Sequence, residues 1–168
     1  MSSKTKRRQQ LEAALNAAMR DVSGQGVLYS QAVAERLGMN STDLECLDHI
    51  VRGPVTAGRL AEVTGLTTGA ITGVIDRLER IGLAQREPDP DDRRKILVRA
   101  LPAVGKRVVP LFVPMERTAM AVLSSYREDE LALLLDFLTR ARDAALAAMS
   151  ELRALPEHRA RPKARKPR

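Results

Sequence analysis

Residues 63–101 read VTGLTTGAITGVIDRLERIGLAQREPDPDDRRKILVRAL, and the order of local signals in this stretch decides the fold. Thr64-Gly65-Leu66 is a tight turn between two short amphipathic segments. Thr56 is placed to cap the first, Ala57 to Val63, and Thr67 or Thr68 opens the second, which runs to Ile81. In the second, Ile71, Val74, Ile75 and Leu78 recur at helical spacing, and Gly82 supplies a stop. The period then changes. Leu83 to Glu87 is short and extended, Pro88-Asp89-Pro90-Asp91-Asp92 is a loop tip, and Ile96 to Leu101 is a strand. Helix, turn, helix and hairpin in this order form the winged helix-turn-helix pattern. The order suits a duplex: the second helix enters the major groove, where base edges are distinguishable, and the hairpin crosses the backbone to the neighbouring minor groove.

Upstream, Gln9 to Leu37 is helical, with Leu11, Leu15, Ala18 and Val22 three or four residues apart. Gly24 and Gly26 interrupt it, which predicts two helical pieces or one kinked helix, closed at Gly38. Asn40-Ser41-Thr42 opens a further helix, with Thr42 and Glu45 at capping-box spacing, and Arg52-Gly53-Pro54 ends it. Downstream of Pro102, Val104 to Leu123 is strongly apolar, and Pro110 and Pro114 bend it or delay its regular start. Glu128 to Leu155 is the cleanest helix: Leu131, Leu134, Leu135, Leu138, Met149 and Leu152 belong to a stripe too apolar to leave in water.

A chain of 168 residues fits one domain. It is 44% hydrophobic but only 2% aromatic, so it is globular with an aliphatic core. Few aromatic rings argue against a stacking platform for single strands. The single Cys46 allows neither an internal disulfide nor a cysteine zinc site, and two histidines, His49 and His158, build no metal centre. No metal and no cofactor are expected. No nucleophile elbow, phosphate loop or HExxH motif occurs, so no enzyme is expected either. The longest uncharged runs, Val22–Ala34 and Val63–Ile75, have 13 residues each, too short to span a bilayer. Met1 to Gln10 has no apolar leader segment. A cytoplasmic protein with no membrane partner is predicted.

The net charge of +7 is unevenly placed. Residues 1–8 carry +4 and residues 156–168 carry +5, so the body between them is −2. Within that body, Arg52 to Arg107 holds 11 basic and 7 acidic side chains, a local +4 on the helix-turn-helix and hairpin. This placement, more than the sum, points to phosphates.

Here the chain resembles the MarR family of bacterial winged-helix repressors. The resemblance is carried by Leu60-Ala61, Leu66-Thr67-Thr68, Ile71 to Glu79, Gly82-Leu83, Arg86, Pro90 to Arg94 and Ile96-Leu97-Val98. The family's Asp-x-Arg wing lands on Asp92 and Arg94. A carboxylate beside a guanidinium holds its fork in one orientation, and a planar arginine suits a narrow minor groove. The recognition helix departs from the family, with Gly69 where serine is frequent and Gly73 where arginine is frequent. Leu101-Pro102 likewise replaces the family's Leu-Thr.

The resemblance implies a mainly α fold with a small β-hairpin wing: a winged helix-turn-helix with N- and C-terminal dimerisation helices. In one MarR-like domain these are residues 9–37, 40–101 and 103–155, followed by a basic disordered tail at 156–168. The expected partners are a second copy of the chain, a palindromic double-stranded operator and a small-molecule effector. The DNA-binding residues expected are Thr56, Arg59, Thr67, Thr68, Gly69, Ala70, Thr72, Gly73, Arg77, Arg93 and Arg94, with Arg77 at a phosphate. Asp76 and Asp92 are expected to orient the wing. Tyr29, His49 and Arg52 are the expected effector residues, in a cleft between the dimer helices and the winged helix. Cys46, among Leu44, Leu47 and Ile50, reads as a small packed hydrophobe. The function so implied is a ligand-responsive repressor. A winged-helix module docking another protein is the alternative, disfavoured because such a face needs no arginine-tipped hairpin.

Overall fold

The computed structural model describes residues 3–155, so the tail read at 156–168 lies outside the described residues. The chain divides into two compact units, one up to Pro114 and one from Met115. In the first, α1 (Ser3–Arg36) is followed by α2 (Ser41–Val51), β1 (Val55–Thr56), α3 (Ala57–Thr64) and α4 (Thr68–Arg80). Then come β2 (Ala84–Pro88), β3 (Ile96–Ala100), α5 (Ala103–Arg107) and α6 (Val109–Leu123), the last running on into the second unit, which also holds α7 (Glu128–Ala154).

The core of the first unit is aliphatic, as the composition requires. Leu47, Ile50, Leu60, Ile71, Ile75, Leu78 and Leu83 are fully buried, and the aromatic Tyr29 and Phe112 only pack against its edge. The buried positions of α4 are the four apolar residues of its helical stripe. Thr67 caps α4 by accepting the Ala70 N–H. At its far end Gly82 adopts φ +70°, a left-handed conformation that favours glycine. There the Leu83 N–H donates to the Leu78 carbonyl and the Gly82 N–H to that of Glu79, the paired bonds of a Schellman stop.

Two local expectations are narrowed and two are corrected. The N-terminal segment is one continuous helix of 34 residues: Gly24 and Gly26 each cost about 1 kcal/mol but, unlike proline, retain their backbone donors. The capping box is Asn40 with Asp43, not Thr42 with Glu45, because α2 starts two residues earlier. The apolar run from Val104 is two helices broken at Val108, with Pro110 in the first turn of α6, where a missing N–H costs little. The wing belongs to a three-stranded antiparallel sheet, β1-β3-β2. Its extra strand pairs Val55 with Val98 and Thr56 with Leu97, and two residues are too few to show a period. The hairpin register runs from Ala84↔Ala100 to Pro88↔Ile96.

In the second unit α7 buries none of its residues. On its stripe Leu135 is 68% exposed, Leu138 58% and Leu152 62%. A stripe of that width left in water is unfavourable by about 25 cal/mol per Å2 of apolar surface.

Candidate nucleic-acid interface

α3 and α4 are set by their first turns. Thr56 accepts the Arg59 N–H at 3.2 Å, so its hydroxyl is a cap as well as a candidate phosphate donor. Arg59 is exposed and pairs with Glu62 at 2.6 Å, within its own helix. Gly65, at φ +74°, turns the chain between the two helices. Thr67, Thr68, Gly69, Ala70 and Thr72 are all exposed on α4, and Gly73 is half-buried. Thr72 donates its hydroxyl to the Thr68 carbonyl at 3.0 Å.

Arg77 is committed elsewhere than expected. Its Nε lies 3.0 Å from both carboxylate oxygens of Asp43, and its Nη2 lies 2.7 Å from Oδ1. Asp43 is 0% exposed, and the Arg77 side chain is 38% exposed. The same carboxylate accepts the Asn40 N–H at 3.1 Å. One buried acid therefore closes the first turn of α2 and grips α4. The hydrogen bond to Asp43 holds the Arg77 guanidinium above its ordinary pKa, against the opposing effect of burial. A Cβ on Gly73 would sit 3.4 Å from Nη1 of Arg77, at van der Waals contact with the guanidinium. Asp43 was not singled out from the sequence, where it reads as a helix-start residue 34 positions from its partner.

Asp76 reaches the wing. Its Oδ1 lies 2.7 Å from Nη2 of Arg86 on β2, and Arg86 also pairs with Glu79 through Nη1. The Arg86 N–H donates to Glu79 at 2.7 Å. Burial lowers the Arg86 pKa, but the bond to Asp76 and the charge of Glu79 outweigh it and raise it overall. At the tip, Asp89 accepts the Asp91 N–H at 2.8 Å. Asp92 accepts the backbone N–H of Arg94 at 3.1 Å and pairs with Lys95 at 3.4 Å. Its carboxylate thus shapes the turn and does not hold the Arg94 fork. Among the described residues, the exposed guanidinium groups of Arg93 and Arg94 have no ion-pair partner.

The three expected effector residues are not brought into one hydrogen-bonded group. Tyr29 donates its hydroxyl to the Leu111 carbonyl at 2.7 Å and packs on Phe112, with ring centroids 6.0 Å apart. Arg52 pairs with Asp48 one turn back, and His49 is half-buried near the end of α2. A shallow depression of about 180 Å3 lined by Gln31, Glu35, Met39 and Asn40 contains none of the three. Cys46 is buried, and burial, then the charges of Glu45 and Asp43, push its thiol pKa up to about 11. Among the described residues no cluster of His, Cys, Asp or Glu could hold a metal ion, and no helix is long and apolar enough to cross a membrane.

Taken together, α3, α4, the β2–β3 hairpin and their outward side chains define a winged helix-turn-helix. The MarR family model matches residues 37–95. The HTH-type transcriptional regulator YcgE of Bacillus subtilis is 39% identical over 137 residues, covering 81% of this chain and 89% of that protein. The HTH-type transcriptional repressor NicR of Pseudomonas putida is 34% identical over 65 residues, 39% of this chain and 40% of that one. A point mutant of MepR from S. aureus, solved bound to an oligodeoxyribonucleotide, shares the fold at 17% identity and a TM-score of 0.54, covering 78% of this chain and 97% of that one. The chain belongs to the MarR family and has the winged helix fold of a transcriptional regulator.

Proposed function

We propose that the protein is a ligand-responsive repressor that binds a palindromic double-stranded operator as a homodimer in the cytoplasm. The observation that carries this reading is the clamped pair of α4 and the wing. A helix face carrying the exposed Thr67, Thr68, Gly69, Ala70 and Thr72 and the half-buried Gly73 is tied through Arg86 to a hairpin whose tip presents Arg93 and Arg94, without acidic partners among the described residues. α4 enters the major groove, Arg94 with Arg93 enters the adjacent minor groove, and Thr56 and Arg59 meet phosphates. Arg77 acts here as a positioning residue behind that face, and Asp76 and Asp92 fix the wing.

The homodimer is supported by α7, whose exposed leucines need a partner, and by α1, where Leu11, Leu15 and Val22 are exposed as well. A twofold dimer sets two recognition helices about one DNA turn apart, which makes the operator a palindrome. Repression follows the relative NicR, which carries that name. Release by a small phenolic or anionic effector would use His49, Arg52 and the ring of Tyr29, whose hydroxyl is already donated.

Footprinting on the DNA upstream of its own gene, at two salt concentrations, tests the reading. A protected palindrome is expected, with affinity falling steeply as salt rises. Weak uniform binding with no protected site, or a monomer at micromolar concentration in sedimentation, overturns it. Salicylate, a phenolic anion, is the probe for release; complexes unmoved by it and by related phenols remove the ligand-responsive part.

A further inference from the structure

The outward face of α4 carries Gly69, Thr72, Gly73 and Asp76, with Thr68 and Ala70 at its flanks, opposite the buried Ile71, Val74, Ile75 and Leu78. From Thr67 to Gly73 there is no Arg, Lys, Asn, Gln or Glu, the side chains that contact guanine, adenine or cytosine edges most specifically. The two charged groups next along are occupied, Asp76 by Arg86 and Arg77 by Asp43. The Thr72 hydroxyl is donated to the Thr68 carbonyl of its own helix. That bond uses the hydroxyl's hydrogen, so what Thr72 has left for an outside partner is its methyl group and an oxygen that can only accept. Nothing lies within 4 Å of a Cβ built on Gly69, so the fold leaves the space before it open. A helix so low on its outer side can lie closer to a groove floor than one carrying long side chains.

Small residues alone would define no site. These sit on the body whose wing carries the exposed Arg93 and Arg94, whose guanidinium groups have no ion-pair partner among the described residues, and arginines of that kind favour the narrow minor groove of A·T runs. The two elements agree, and the geometry points to A·T pairs as the bases this helix reads. The 5-methyl groups of thymines in the major groove pack on the Thr72 methyl and Ala70, in place of hydrogen bonds to guanine. The thymine methyl is the apolar group on the major-groove edges, so it is the natural partner of the methyl groups of Thr72 and Ala70 on this face. The inference rests on the reading of α4 as the helix that enters the major groove.

The test uses the full chain and the site its footprint protects. Each thymine of that site is replaced singly by deoxyuridine, which removes the methyl and leaves base pairing unchanged, and Kd is read by fluorescence anisotropy. Loss of one contacted methyl should weaken binding about fourfold, and loss of its symmetry mate as well about fifteenfold. Thr72→Ser removes the methyl and keeps the hydroxyl. It should bind the thymine duplex as weakly as the native chain binds the uracil duplex, with no further loss on uracil. Thr72→Val should bind like the native chain. Uracil changes that stay within about twofold at every position overturn the inference but leave the operator reading standing. So does a loss that appears only with 7-deazaguanine in place of guanine, or a Thr72→Val variant as weak as Thr72→Ser. A chain that protects no site overturns both readings together.

Discussion

Replacing Arg77 with methionine removes the guanidinium and leaves a chain of similar length and packing. Asp43, wholly inaccessible to water, would then keep a single donor, the Asn40 N–H at 3.1 Å, in place of three close approaches from the arginine and that one. Stranding a buried carboxylate in this way costs about 3–5 kcal/mol. The reciprocal change, Asp43→Asn, is expected to be milder. Asparagine still accepts from the Asn40 N–H, and the Arg77 side chain, 38% exposed, recovers water on its open side. A loss of about 1–2 kcal/mol follows after discounting for that solvation. Combining the two should cost about 2 kcal/mol less than the sum of the single changes, because the stranded charge is gone. Urea unfolding followed by far-ultraviolet circular dichroism at about pH 7.5 and one fixed chain concentration measures all four species. Equal costs for the two single changes, or additivity within about 0.5 kcal/mol, would refute the reasoning.

The remaining expectations concern the interface and the thiol. Gly69→Ala, placed where a Cβ meets nothing, should stabilise α4 by about 1 kcal/mol while weakening operator binding; a variant that gains stability with no loss of affinity would show that close approach is not needed there. Arg94→Ala should weaken operator binding more than removal of residues 156–168 and lower the salt slope by about one, with a more damaging tail deletion as the contrary result. Cys46, with its pKa pushed to about 11, should react with Ellman's reagent more than about 100-fold slower in the folded chain than in urea, and peroxide should leave DNA binding unchanged. Because the raised pKa belongs to the folded thiol, its stabilising effect is fully present below the unfolded value of about 8.5; it is lost as pH climbs towards about 11. Rapid labelling at neutral pH would contradict the burial on which this rests.

The elements that carry periodic apolar residues were legible in the sequence. Ile71, Val74, Ile75 and Leu78 mark α4 at its helical period, Thr56 and Thr67 mark its neighbour's start and its own, and Asp89 to Asp92 marks the hairpin tip, although Pro88, expected in the tip as well, ends β2 paired with Ile96. What escaped was of two kinds. β1 is two residues long, shorter than any repeat that could announce it. Asp43–Arg77 and Arg86 with Asp76 and Glu79 are ion pairs across turns or between distant segments, and a charged residue in a sequence does not reveal which partner it meets. The glycines of α1 left two pieces and a single helix both open for a third reason: their cost is local, whereas a long helix is held by the sum of its turns.

The Arg86 clamp also fixes how many ways the reading head can move. Arg86 is tied by a side-chain nitrogen to Asp76 at 2.7 Å, by its backbone to Glu79 at 2.7 Å, and by a second side-chain nitrogen to Glu79. Helix and hairpin are thereby coupled into a lever with α4 as its axle. Five-residue strands make the arm about 17 Å long, so a roll of the axle by about 10° swings the tip about 3 Å. That distance is a whole hydrogen bond. On the operator reading proposed above, a twist that lifts α4 from its groove would withdraw the wing in the same motion, so the two grooves would be gained or lost as one event.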